Sequence, residues 1–219
     1  MHAGQVRARS LAALLAALLA ACAPLTERAD PASDAPESPP AVAASFPAAA
    51  TWEEALAKWR SAEDVNAWIG ARFRYDLPRA MALSESQRQR KRLPIHAPAA
   101  FFASPSGVCV DLARFGVEAL RAIDPASRPR YLMIEFDPVT LAGNTLRRHW
   151  VAVFERGGEV FVFADSKRPG HLAGPYAGVA EFIADYARYR GRRVVAFREL
   201  DTFERRMRTI RPIRGQVEF

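Results

Sequence analysis

Three features of the sequence predict an α+β fold. Amphipathic helical segments come first. After residue 129 the hydrophobic period shortens to that of strands, and a Gly157-Gly158 pair then separates two strand-like runs. Helices followed by an antiparallel sheet, rather than helices alternating with strands, define this class. The 219 residues, half of them hydrophobic, suffice for one domain with extensions.

The extensions lie at the N-terminus. Arg7 and Arg9 precede a short Leu/Ala run from Leu11 to Leu19, too short to span a bilayer and suited to a signal peptide over residues 1–21. The run ends in Leu19-Ala20-Ala21-Cys22, which resembles a bacterial lipobox and implies lipidation of Cys22. Residues 22–50 are Ala, Pro, Ser and acids, the composition of a disordered tether. As a flexible coil it would span on the order of 30 Å. The domain proper is expected over residues 51–219, which carry 28 basic and 20 acidic side chains, a net charge of +8. Such a balance favours anionic partners. In an exported lipoprotein these are envelope polymers, headgroups or acidic proteins rather than nucleic acid.

Order is expected from Thr51. Thr51-Trp52-Glu53-Glu54 is a capping box, followed by a Trp52, Leu56, Trp59 stripe. Ser61 restarts a helix that buries Val65, Trp68, Ile69 and Phe73 and ends near Tyr75-Asp76-Leu77-Pro78. Residues 84–92 are wholly polar and suit a solvated helix or loop. Pro94 to Gly107 reads as a proline-punctuated loop. From Val110, Leu112, Ala113, Gly116, Val117, Leu120 and Ile123 form a helical seam. Strands are expected at Arg130–Phe136, Arg148–Glu155, Glu159–Ser166 and Arg193–Leu200, with loops at Asp137–Leu146 and Lys167–Gly178. Val179 to Arg190 is an amphipathic helix closed by Gly191.

Cys109 falls at the start of the central helix. Exposed N–H groups and the helix dipole favour an anion there, the form in which a thiol attacks. A buried structural thiol is the other reading. With Cys22 lipidated, Cys109 has no cysteine partner in the chain although the compartment is oxidising, which favours use over structure.

A thiol nucleophile needs a base, and the base an orienting group. His96, His149 and His171 remain after residue 22, and only His149 stands on an expected strand. Asp165 lies near the end of the partner strand. A two-residue turn at Gly157-Gly158 sets His149 opposite Ser166 and points Asp165 to the other face. A three-residue loop sets His149 opposite Asp165. The sequence permits either.

Gly107-Val108-Cys109-Val110-Asp111-Leu112-Ala113, then His149-Trp150-Val151, then Asp165 ending a strand, resemble the transglutaminase-like superfamily. Trp68-Ile69 and Phe73-Arg74-Tyr75-Asp76 resemble its helix before the catalytic loop. The resemblance spans roughly Ser61 to Ser166. It implies N-terminal helices and a Cys-bearing helix packed on an antiparallel sheet, the papain/transglutaminase-like arrangement. It further implies a Cys109, His149, Asp165 triad, with the Cys109 N–H and a further donor, Tyr75 the candidate, holding an oxyanion. Ser166-Lys167-Arg168 departs from the proline-containing turn common after the aspartate, which leaves the substrate open.

The function expected is therefore a cysteine-dependent acyl hydrolase or transferase acting on protein or peptide amide bonds in the cell envelope. Peptidase or amidase chemistry is preferred over cross-linking, and no cofactor is required. The location expected is lipid-anchored, at the periplasmic face of the outer membrane if the source is Gram-negative. The alternative is a non-catalytic lipoprotein that binds an envelope protein or anionic polymer through its basic surface. Three dispersed histidines and one thiol give no metal-ligand spacing, so no metal is expected. No phosphate-binding loop occurs.

Overall fold

The computed structural model describes residues 33–37, 45–89, 93–141 and 144–204. Residues 1–32, with the signal segment and Cys22, lie outside the described residues, as do residues 205–219. Six α-helices and seven strands make up the described residues, in an α+β arrangement. In chain order they are α1 (Trp52–Lys58), α2 (Ala62–Arg72), β1 (Arg74–Tyr75), α3 (Leu77–Arg88), α4 (Pro98–Ala103), β2 (Ser106–Gly107) and α5 (Cys109–Ile123). A 3₁₀ turn (Pro125–Ser127) leads to β3 (Arg130–Leu141), β4 (Asn144–Arg156), β5 (Glu159–Phe163), β6 (Ala173–Tyr176), α6 (Val179–Arg190) and β7 (Val194–Leu200).

The caps read from sequence are present. Thr51 Oγ1 accepts the Glu54 N–H at 3.2 Å, and Glu54 Oε2 accepts the Ala50 N–H at 2.7 Å. Ser61 Oγ accepts the Asp64 N–H at 3.4 Å. Gly191 closes α6 in the left-handed region at φ 59°. Ordered chain reaches further back than Thr51. Phe46 and Ala49 pack against the core, and Trp59 Nε1 donates to the Pro47 carbonyl at 3.3 Å.

Three expected loops contain structure. Within Pro94–Gly107, Pro98 starts α4 at a position that needs no N–H, and Phe101 is buried. Within Asp137–Leu146 the hairpin of β3 and β4 continues past a bulge, with Val139 opposite Leu146 and Leu141 opposite Asn144. Val139, Thr140 and Thr145 favour strands, a propensity that the turn residues near 143 obscured. Within Lys167–Gly178, β6 pairs with β5 and adds an edge strand. The second helix also ends earlier than expected, at Arg72. Chain after it pairs β1 with β2 in parallel, Tyr75 opposite Gly107.

The main sheet runs β6-β5-β4-β3-β7, each neighbour antiparallel. Alternation along the strands gives it two buried faces. On one face, Tyr131, Ala152, Phe154 and Phe163 meet α5 through Leu112, Phe115 and Leu120. Trp52, Trp59, Trp68 and Phe101 back that helix, with Trp68 stacked on Phe115 at 4.7 Å between centroids. On the other face, Leu132, Ile134, Val151, Val153 and Val162 meet Phe182, Ile183 and Tyr186 of α6. The N-terminus of α5 and the early part of β4 are thereby fixed by two separate cores.

Candidate active site

Cys109 is the first residue of α5, capped by Val108 in an extended conformation. What fixes this helix end is Asp111, whose role the motif alone does not reveal. Asp111 is fully buried, and its carboxylate accepts the Val108 N–H at 3.0 Å and the His96 N–H at 2.9 Å. Arg79 donates to it in a fork, Nε to Oδ2 at 2.7 Å and Nη2 to Oδ1 at 2.8 Å. Burial works against this carboxylate, but Arg79 and the two N–H groups outweigh it and hold its pKa below the ordinary value. A Cβ on Gly107 would stand 2.9 Å from Asp111 Cβ and 3.0 Å from the Phe101 ring, so only glycine lets the loop pass this close.

His149 is fully buried in β4 and stacks on Tyr186 of α6, centroids 5.8 Å apart. Its Nε2 is 2.8 Å from Asp165 Oδ1. The same oxygen accepts the Lys167 N–H at 2.9 Å, and Arg168 Nε lies 3.5 Å from Oδ2. Burial raises the Asp165 pKa, but His149, Arg168 and the Lys167 N–H lower it further, well below the usual carboxylate range. Ionised Asp165 accepts from Nε2, which leaves Nδ1 as the nitrogen that can serve a thiol. Nδ1 stands 3.3 Å from Oδ1 of Asp34. Burial also works against the imidazolium. Tyr186 and the carboxylates of Asp34 and Asp165 overcome that penalty and hold the His149 pKa well above its ordinary value.

The register behind this pair differs from the one expected to produce it. Arg156 pairs with Glu159 across a two-residue turn in which Gly157 and Gly158 both have positive φ, 63° and 86°. That is the register in which simple alternation sends Asp165 to the far face. Pairing with β4 ends at Ala152–Phe163, and Ala164 then takes a left-handed conformation with φ 54°. This single reversal puts Ala164 into the core beside α5 and turns Asp165 towards His149. The close approach needs Gly116, since a Cβ there would stand 2.8 Å from Ala164 Cβ.

Donor atoms of Cys109, His149 and Asp34 lie within 4.8 Å of one another. Cys109 and His149 are thus together, as the sequence suggested, and Asp34 is a third member that it did not suggest. Tyr75 lies nearby. Burial, then Asp34 and Cys109, push its hydroxyl pKa up, so the phenol stays protonated and able to donate. His96 contributes its backbone N–H to Asp111, and His171 lies in the loop after Arg168 with its pKa lowered by burial and by Arg168.

The trio of carboxylate, thiol and imidazole has donor types that a zinc ion accepts. Arg190 Nη2, however, lies 2.9 Å from the Asp34 oxygen that faces His149. A guanidinium at that oxygen opposes a second cation, so the residues present do not suit a metal. The chain matches no protein-family model and no curated protein.

Proposed function

We propose that this protein is a cysteine-dependent acyl hydrolase of the transglutaminase-like kind, acting on amide bonds of protein or peptide substrates in the cell envelope. The observation that supports this reading is the 2.8 Å contact of His149 Nε2 with Asp165, in an imidazole that has a ring nitrogen within 4.8 Å of the Cys109 sulfur at the N-terminus of α5. In this reading Cys109 gives its proton to His149 and its sulfur attacks the substrate carbonyl, forming a C–S bond. The tetrahedral oxyanion is held by the Cys109 N–H and the Tyr75 hydroxyl. Collapse breaks the C–N bond as His149 gives its proton to the departing amine. Water then attacks the thioester as His149 takes its proton, and collapse breaks the C–S bond, releasing the carboxylic acid while His149 returns the proton to the sulfur. Asp165 fixes the imidazole and stabilises its charged form. The lipobox-like Cys22 would hold the enzyme at the membrane.

The test is alkylation of Cys109 by iodoacetamide, read by peptide mapping on the full chain, beside turnover of amide substrates. His149→Ala is expected to slow both, turnover by roughly a hundredfold or more. Equal alkylation with and without His149 would make Cys109 a structural residue and would leave the basic-surface lipoprotein as the reading.

A further inference from the structure

Residues Ser33–Glu37 belong to the stretch that composition assigns to a tether, yet they lie in the site. Asp34 is 6% exposed. Its Oδ1 stands 3.3 Å from His149 Nδ1 and 2.9 Å from Arg190 Nη2. Arg190 Nη2 also donates to the Ser33 carbonyl at 3.1 Å, and Ser166 Oγ donates to the Asp34 carbonyl at 3.4 Å. Further along, Glu37 Oε1 pairs with Lys167 Nζ at 3.4 Å, the Glu37 N–H donates to the Lys167 carbonyl at 3.4 Å, and the Tyr189 hydroxyl donates to the Glu37 carboxylate. Both acids of the segment therefore meet cations of the domain.

The receptor for Asp34 is built into the fold. Arg190 is 1% exposed, in the last turn of α6, with its guanidinium 5.2 Å from the Phe136 ring centroid and 5.6 Å from that of Tyr186. Tyr186 OH accepts from its Nη1 at 3.1 Å. A buried guanidinium with planar donors is suited to receive a carboxylate. A carboxylate from an Ala/Pro-rich, otherwise solvated segment enters a buried site only where such partners offset its desolvation.

We propose that residues Ser33–Glu37 are a tethered inhibitor of this site, with Asp34 filling a carboxylate subsite formed by Arg190 and His149 that acidic peptides also occupy. The proposal rests on the reading of Cys109 and His149 as the catalytic pair. With Asp34 seated, Nδ1 faces a carboxylate and not only the thiol. Cys109 is 9% exposed with Asp34 within 4.8 Å of its sulfur, so in this proposal an acyl group reaches the sulfur only once the segment leaves. The segment contributes no residue to a helix or strand, so its departure breaks no backbone ladder.

The experiment measures the rate of Cys109 alkylation by a bulky maleimide on the full chain. Asp34→Ala and Glu37→Ala are each expected to raise it, and together by about tenfold, in proportion to the open fraction. Glu37 pairs with Lys167, outside the Asp34, Cys109 and His149 trio, so it carries the test if Asp34→Ala fails to fold. A synthetic peptide of residues 31–40 should slow the double variant again, and the same peptide with Asn for Asp should not. Unchanged rates in both variants overturn the proposal. So does a chelator that speeds the wild-type reaction as much as the variants do, which would make the trio a metal site. Faster variants that are indifferent to His149→Ala keep the inhibitor and remove the catalytic reading. Sensitivity to His149→Ala without any effect of Asp34 or Glu37 does the reverse.

Discussion

His149 Nε2 and Asp165 Oδ1 are 2.8 Å apart, although ladder pairing between their strands stops at Ala152–Phe163. The link between them is one left-handed residue, Ala164, seated against Gly116 of the cysteine helix. The residue that docks α5 on the sheet is therefore the neighbour of the carboxylate that orients the imidazole.

Substitution at Ala164 and Gly116 should expose this coupling. A non-glycine residue in the left-handed region costs roughly 1–2 kcal/mol, and a buried methyl contributes about 0.8 kcal/mol. Ala164→Gly should thus change stability little. Ala164→Val combines a β-branched side chain with positive φ and a closed contact, and should cost at least ~2 kcal/mol and slow amide turnover. Gly116→Ala gains helix propensity of about 1 kcal/mol but meets Ala164 Cβ, so the net effect should be destabilising. Adding Ala164→Gly to Gly116→Ala should restore most of the loss. Urea unfolding of the four proteins measures the cycle, and additive effects would deny the contact.

Asp111 governs the other side of the site. Removing one partner of a buried ion pair costs about 3–5 kcal/mol, because the remaining groups keep their desolvation penalty. Asp111→Ala should approach that range, since Arg79, Val108 and His96 all lose an acceptor. Arg79→Ala should cost less, because two N–H groups still satisfy the carboxylate. The double variant should be markedly less destabilised than the sum of the two. Denaturant midpoints check the coupling, and iodoacetamide alkylation of Cys109 reports whether α5 still begins where it should.

Much of this arrangement could be read from residue order. The caps at Thr51, Ser61 and Gly191, the cysteine at a helix start and the histidine on a strand are local features, and they are where the sequence placed them. The route from strand to Asp165 was not legible, because alternation predicts a face only while the backbone stays extended, and an alanine gives no warning of positive φ. Asp111 carries a local signal, an acid three residues after a helix cap, but its partner Arg79 lies 32 residues away. Asp34 and Arg190 had none. They are 156 residues apart, and one sits in a segment whose composition argues for solvation. Only the fold brings them together.

The charge cluster of Asp34, His149, Asp165 and Arg190 should give stability a window in pH. His149 has its pKa raised on folding, so its contribution is full below the unfolded value of 6.5 and fades as pH rises through the higher folded value. Asp34 and Asp165 have theirs lowered, so their contribution is present above the unfolded value of 3.8 and is lost as pH falls through the lower folded values. The pairing is therefore strongest between about 4 and 6.5, where the imidazolium and both carboxylates are charged. Thermal melts of wild type and His149→Gln across pH 3 to 10 measure it. The difference in Tm should plateau within that window, shrink on the alkaline side above pH 6.5, and shrink again in acid. A difference that grows with rising pH would mean that His149 is held neutral, and that the carboxylates do not outweigh its burial.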